Sequence, residues 1–343
     1  MSEINIRKSG HAGRITLTRP KALNALSYEM ALAISAALDA WREDDDVGLV
    51  LIDAEEERAF CAGGDIAALY HASIAGDNEL GRRFWRDEYR MNAKIDEFPK
   101  PVVSLMQGFT MGGGVGIGCH GTHRIVCETT QIAMPECGIG LIPDVGGTAL
   151  LARAPGAMGE YLALTSTRMG PADALYTGFA DFYVPSAAWP ELIRALEADD
   201  FSAIDDAATL PPQKVLDTYQ QRVDHHFAGK TLPEILASLR AESNNFTKEA
   251  LDKIARNSPL SMVATLAMLQ ALRASNASFR DALAQEYRFT YRSQERGDFN
   301  EGIRAAVIDK DRAPTWQHDL ETPPEAGPML AGLGANELRF EEE

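Results

Sequence analysis

The chain has no apolar run approaching the roughly 18 residues that a membrane-spanning helix needs, and its first residues, MSEINIRKSGHAGRITLTRP, contain no apolar signal core. A soluble, unexported protein of the cytoplasm is therefore expected. Basic residues are scarce: 33 Lys and Arg against 50 Asp and Glu leave a net charge of -17. Such a surface repels phosphate backbones and anionic headgroups, which argues against nucleic-acid and membrane partners. Cysteines are few, and Cys61, Cys119, Cys127 and Cys137 are spaced too irregularly for a zinc ribbon or a redox pair. They read as small reduced core residues. His120 and His123 lack a third ligand motif and read as structural, so no metal is expected. No G-x-S-x-G elbow and no P-loop lysine occur.

What is present is 45% hydrophobic residues in 343, enough for one large core domain and a smaller helical part. Alternation makes 14–18 a strand. The stripe Met30, Ile34, Leu38 and Trp41, behind the N-cap candidate Ser27, makes 28–42 a helix. Strands follow at 47–53, 101–106, 124–127 and 131–133, with helical pattern at 82–98. This predicts an α/β core over residues 1–185. Helical segments at 190–198, 213–227, 232–241, 247–256, 259–274 and 278–296 predict a helical region over 186–320. The Pro-, Gly- and acid-rich residues 321–343 are expected to pack loosely.

The stretch from 107 to 147, QGFTMGGGVGIGCHGTHRIVCETTQIAMPECGIGLIPDVGG, carries the chemistry. Gly116-Ile-Gly-Cys-His-Gly121 is a formal G-x-G-x-x-G with Glu136 twenty residues beyond Gly116, a dinucleotide-binding pattern on paper. The turn itself falls at Gly112–Gly114, however, so the motif glycines should lie inside the following helix rather than around a pyrophosphate. Two glycine turns remain, Gly63-Gly64 and Gly112 to Gly114, each before a helical pattern. One N–H from each would build an oxyanion hole for a thioester or ester carbonyl, with Glu136 and Asp144 as nearby acids. The plainer reading makes both turns strand-to-helix connectors.

The combination of PKALNALS at 20–27, FCAGGDI at 60–66, GFTMGGGVG at 108–116 and AMPECGIGLIPDVGG at 133–147 resembles the crotonase (enoyl-CoA hydratase/isomerase) superfamily. Further similarity lies at RDEYRMN, 86–92, and DFNEGIRAAVIDKDRAPTW, 298–316. The resemblance implies an α/β (α+β) spiral of ββα units with a helical C-terminal region, and an acyl-CoA substrate with no separate cofactor. It places the oxyanion donors at the N–H groups of Gly64 and Gly113, and main-chain coenzyme A contacts around Leu23, Ala62, Asp65 and Ile66. Glu88, Gly113, Glu136 and Asp144 become substrate-binding positions, with Glu136 and Asp144 catalytic. It also implies a trimer-based homo-oligomer. Hydratases of the superfamily use two glutamates, but the first of those positions here is Gly116, and Asp144 stands where they lack an acid. That exchange points to hydrolysis of a 3-hydroxyacyl-CoA, in valine breakdown, with Glu136 either attacking the carbonyl or activating water. Glu88 either accepts a hydrogen bond from the substrate hydroxyl or is a solvated helix acid. A hydratase or isomerase, and a noncatalytic binding protein, are the alternatives.

Overall fold

Residues 49–52 and 102–106 are buried without interruption, as strands covered on both faces are. A computed structural model of the protein describes residues 3–212, 215–275 and 277–340. In chain order it runs β1 (Ile4–Ser9), β2 (Ala12–Leu17), α1 (Tyr28–Arg42), β3 (Leu49–Ala54), β4 (Ala59–Cys61), α2 (Ile66–Ile74) and α3 (Glu79–Asp96). There follow β5 (Val102–Met106), β6 (Phe109–Met111), α4 (Gly113–Gly118), β7 (His123–Val126), β8 (Gln131–Ala133), α5 (Gly147–Arg153), α6 (Met158–Thr165), α7 (Pro171–Thr177) and β9 (Phe182–Tyr183). The remainder is helical: α8 (Trp189–Glu197), α9 (Ser202–Ala207), α10 (Gln220–Phe227), α11 (Leu232–Arg240), α12 (Asn245–Ile254), α13 (Pro259–Ser275), α14 (Phe279–Arg296), α15 (Phe299–Ile303) and α16 (Gly327–Leu330). The expected helical segment at 213–227 starts on residues 213 and 214, which lie outside the described residues; from 215 onward it holds a 3-10 turn, Leu216–Tyr219, and α10.

Two compact units result, and neither ends at residue 185. The first gathers the chain up to Gly64 with Arg90–Ala133 and Arg168–Thr218. Its larger sheet has the order β1-β2-β3-β5-β7-β9, parallel throughout except for the β1–β2 hairpin. A second parallel sheet, β4-β6-β8, takes one strand after each of β3, β5 and β7. Each repeat thus gives one strand to each sheet, which is the ββα spiral expected from the resemblance. Alternate residues of the larger sheet, among them Leu49, Leu51, Val103 and Leu105, cluster with Leu192 and Leu196 of α8 and Ile204 of α9. Ser27 caps α1 by accepting from Met30 N, and the whole predicted stripe, Met30, Ile34, Leu38 and Trp41, is buried. Strand β1 escaped the sequence reading. Its alternation is short and half-buried, and its register depends on the hairpin at Gly10, whose φ is 57°.

The second unit gathers Asp65–Tyr89, Met134–Thr167 and the chain from Tyr219 on, and it is almost wholly helical. Of the stretch 321–343, residues 341–343 lie outside the described residues, and the rest departs from the loose packing expected of it. Met329 and Leu338 are buried, Arg288 pairs with Glu337 at 3.1 Å, and Arg292 donates to the Met329 and Gly332 carbonyls. Composition hid two apolar anchors and the basic side chains of α14 that receive them.

The glycine cluster is a packing device as well as a turn. A Cβ on Gly114 would lie 2.1 Å from the Cys61 carbonyl oxygen, and one on Gly118 would lie 2.7 Å from Met106 Sδ and 2.8 Å from Phe60. Helix α4 can therefore sit against β4 and β5 only without side chains there. Gly116 and Gly118 lie inside α4 as expected, whereas Gly121 falls after it, pressed 2.6 Å (as a Cβ) from the Val102 carbonyl oxygen. Because the obstacle at position 114 is backbone, Gly114→Ala should cost about 3 kcal/mol or more. Urea unfolding of the two proteins measures it; an unchanged midpoint would contradict this packing.

Candidate active site

Within the first unit, the loop after β2 is fastened to the start of β4 and to the loop that follows it. The Asn24 side chain donates to the Ala59 carbonyl at 2.9 Å and accepts from Arg19 N at 2.8 Å. Ala62 N donates to the Leu23 carbonyl at 3.1 Å, and Leu26 N donates to the Gly63 carbonyl at 2.8 Å. Two predicted contact residues, Leu23 and Ala62, are thereby hydrogen-bonded to each other. Each candidate oxyanion donor follows a glycine that no L-residue replaces without strain: Gly63 has φ 122° and Gly112 φ 47°. Gly113 opens α4, where a first-turn N–H has no intrahelical acceptor. Among the described residues, neither the Gly64 nor the Gly113 N–H donates to a protein acceptor. Asn92 on α3 is fully buried with its amide nitrogen and oxygen both unpartnered, a polar group that the sequence flagged only as part of a motif.

The acids lie in the second unit, where Asp65 precedes α2 and Ile66 begins it. Glu136 opens a 3-10 turn, Glu136–Ile139, which is seated from two sides: Ser258 N donates to the Cys137 carbonyl at 2.9 Å, and Gly302 of α15 leaves room for the Ile139 carbonyl, 2.1 Å from where a Cβ would be. Glu136 Oε2 is buried without a hydrogen-bond partner. Asp144 begins a tight turn closed by Gly147 N on its carbonyl at 2.7 Å, with Val145 at φ 54° and Gly146 at φ 80°. A left-handed β-branched residue costs about 1–2 kcal/mol, so other contacts must impose it. Tyr89 of α3, wholly buried, donates to Asp144 Oδ2 at 2.7 Å.

Glu88, Glu136 and Asp144 are 2%, 4% and 5% exposed, which removes the reading of Glu88 as a solvated acid. Glu286 of α14, with no exposure, joins them. It accepts from Gly146 N at 2.8 Å, from Thr148 N at 3.0 Å and from the Thr148 hydroxyl. Sequence reading missed it, although an acid on the buried face shared by Phe279, Leu283 and Phe289 was a visible signal. Burial, then the Asp144 charge, pushes Glu136 and Glu88 well above the usual carboxylate range. Burial raises Asp144 to about 7 against the pull of the Tyr89 hydrogen bond, and raises Glu286 to about 8 against its Thr148 and Gly146 donors. Such a set holds protons at neutral pH and can pass or accept them, as general acids and bases must.

A cleft of about 780 Å³ is lined by Pro135, Gly138, Ile139, Asn257 and Trp316 among others, but by none of the four acids. The four cysteines are buried and, among the described residues, none is in a disulfide; the His123 ring stacks on Phe182 at 5.9 Å. Among the described residues, His225, His226 and Glu242 bring potential ligand atoms within 4.8 Å of one another; the sequence reading did not single them out.

The profile of the enoyl-CoA hydratase/isomerase family matches residues 12–325. The chain belongs to that family. It is 38% identical over 328 residues to a protein of Gallus gallus named 3-hydroxyisobutyryl-CoA hydrolase, mitochondrial, covering 92% of this chain and 84% of that one. Among solved family structures, an enoyl-CoA hydratase from Rhodobacter sphaeroides 2.4.1 superposes with a TM-score of 0.93 at 57% identity, covering 99% of this chain and all of that one. A carnitinyl-CoA dehydratase from Mycobacterium thermoresistibile gives 0.91 at 42%, each chain covered completely. Family membership is common ground among these names; the reaction is not.

The sign of the carboxyl shifts gives a test. Asp144 and Glu286 hold protons in the folded state up to about pH 7 and 8 but release them near pH 4 when unfolded. Their contribution to stability is complete below pH 4 and lost as pH rises through those values. The melting temperature should fall between pH 5 and pH 8, and Asp144→Asn should flatten that fall. An equal slope in the variant would contradict the assignment.

Proposed function

We propose that the chain hydrolyses the thioester of 3-hydroxyisobutyryl-CoA to 3-hydroxyisobutyrate and coenzyme A. The observation that carries this reading is a buried, partnerless Glu136 oxygen in reach of the Asp144 charge, in a family chain whose position 116 offers only glycine. Hydration of a double bond divides proton transfer between two glutamates, and Gly116 cannot move a proton. The solved relatives named hydratase and dehydratase favour the second reading by likeness alone.

In the proposed reaction the thioester oxygen takes hydrogen bonds from the Gly64 and Gly113 amides as negative charge develops on it. Glu136 in its ionised form then attacks the carbonyl carbon, giving a mixed anhydride that water hydrolyses to the hydroxy acid and free Glu136, or draws a proton from the water that attacks the carbonyl directly. Either way the C–S bond breaks, a C–O bond forms, and the coenzyme A thiolate leaves and takes up a proton. Asp144, held by Tyr89, orients water and keeps the pKa of Glu136 apart from its own. Glu88 accepts a hydrogen bond from the substrate hydroxyl. Leu23, Ala62, Asp65 and Ile66 contact coenzyme A through the main chain. No metal or further cofactor enters the scheme. A role in valine breakdown, a cytoplasmic location and a trimer-based assembly belong to the same proposal; among the described residues no helix is long and apolar enough to cross a membrane.

Glu136→Gln keeps the side chain's shape but cannot attack the carbonyl or accept the proton. It should lower thiol release from 3-hydroxyisobutyryl-CoA by about a hundredfold or more with an unchanged circular dichroism spectrum. Retention of most of the activity would remove Glu136 from the mechanism.

A further inference from the structure

The turn that carries Asp144 is held from a helix about 140 residues downstream, a span set by the Gly146–Glu286 separation. Val145 adopts φ 54°, which a β-branched side chain avoids, and Gly146 follows at φ 80°. The Glu286 carboxyl group grips the turn just beyond this strained residue: one oxygen accepts from Gly146 N, the other from Thr148 N and the Thr148 hydroxyl. The next residue of α14, Tyr287, sets its ring 6.2 Å from that of Tyr89, edge to face, and Tyr89 is the donor to Asp144. One turn of α14 therefore meets both restraints on Asp144, its backbone and its hydrogen-bond donor.

We infer that Glu286 is a positioning residue for the reaction: by binding the amides of Gly146 and Thr148 it holds Val145 in the left-handed conformation and so aims the Asp144 carboxyl. Burying a carboxyl group is unfavourable, and a helix–turn contact that served stability alone is met as well by an apolar side chain. What the carboxyl group adds is two oxygens at a fixed spacing, each hydrogen-bonded to the turn, which select one backbone conformation. Glu286 does not touch the reacting atoms in this scheme and acts only through Asp144. The inference rests on the hydrolase reading for its kinetic consequence, but not for its structural one.

The test is a double-mutant cycle on thiol release from 3-hydroxyisobutyryl-CoA, with amide hydrogen exchange beside it. Glu286→Ala should lower kcat about tenfold or more and change KM less than about twofold. In an Asp144→Asn background the same substitution should produce no further loss. Adding Val145→Gly to Glu286→Ala should restore most of kcat, since glycine adopts the turn without the clamp. Equal losses in both backgrounds, or no restoration by glycine, would make Glu286 a general stability residue and overturn the inference. Should Glu286→Ala not fold, Glu286→Gln serves, because its amide sets a donor against one of the N–H groups. In either variant the Gly146 and Thr148 amides should exchange faster than the amides of α13; unchanged exchange overturns the clamp. If the native chain releases no coenzyme A, the hydrolase reading fails while the exchange result still decides whether the clamp exists.

Discussion

Four carboxyl groups taken out of water set the terms for the second unit of this molecule. Glu88, Glu136, Asp144 and Glu286 are each at least 95% buried, and none forms an ion pair among the described residues. Without a cation, burial has to be met by protonation and by donors. Glu286 takes two backbone amides and a hydroxyl, Asp144 takes one phenol, and Glu136 keeps an oxygen with nothing bound to it. The best satisfied of them, Glu286, holds the backbone of residues 146–148, while Glu136 keeps an unpartnered buried oxygen. The Asp144 charge adds to burial in raising both Glu88 and Glu136, so ionising one of these acids makes ionising the others harder.

The first unit meets a different constraint with residues that have no functional group. Gly114 and Gly118 let α4 approach β4 and β5, while Gly63 and Gly112 take backbone conformations that leave the next N–H group unclaimed. In residues 112–118 close packing and an unclaimed N–H come from one glycine-rich segment, which explains why so many glycines crowd a stretch that is helical.

Much of this was legible in the sequence, for identifiable reasons. Continuous apolar runs marked β3 and β5, and Ser27 with its four-residue stripe marked α1, because local periodicity reports burial directly. The motifs singled out Glu88, Glu136 and Asp144, all of which the fold buries. What stayed hidden depends on partners far away in the chain. Glu286 reads as one more helical acid until α14 is placed against residues 146–148, and the C-terminal stretch looks loose until Arg288 and Arg292 are seen to hold it. The strain at Val145 has no signature at all, since nothing in Pro-Asp-Val-Gly-Gly requires the valine, rather than the glycine after it, to be left-handed.

The central claim is that this member of a family named for hydration breaks a thioester instead, because its acids are arranged around Glu136 and Asp144 and its position 116 is empty of chemistry. The most direct measurement compares two rates for the native chain: thiol release from 3-hydroxyisobutyryl-CoA, and loss of the conjugated enoyl absorbance of crotonyl-CoA. The account predicts rapid thiol release and hydration near background. Rapid hydration without thiol release would contradict it.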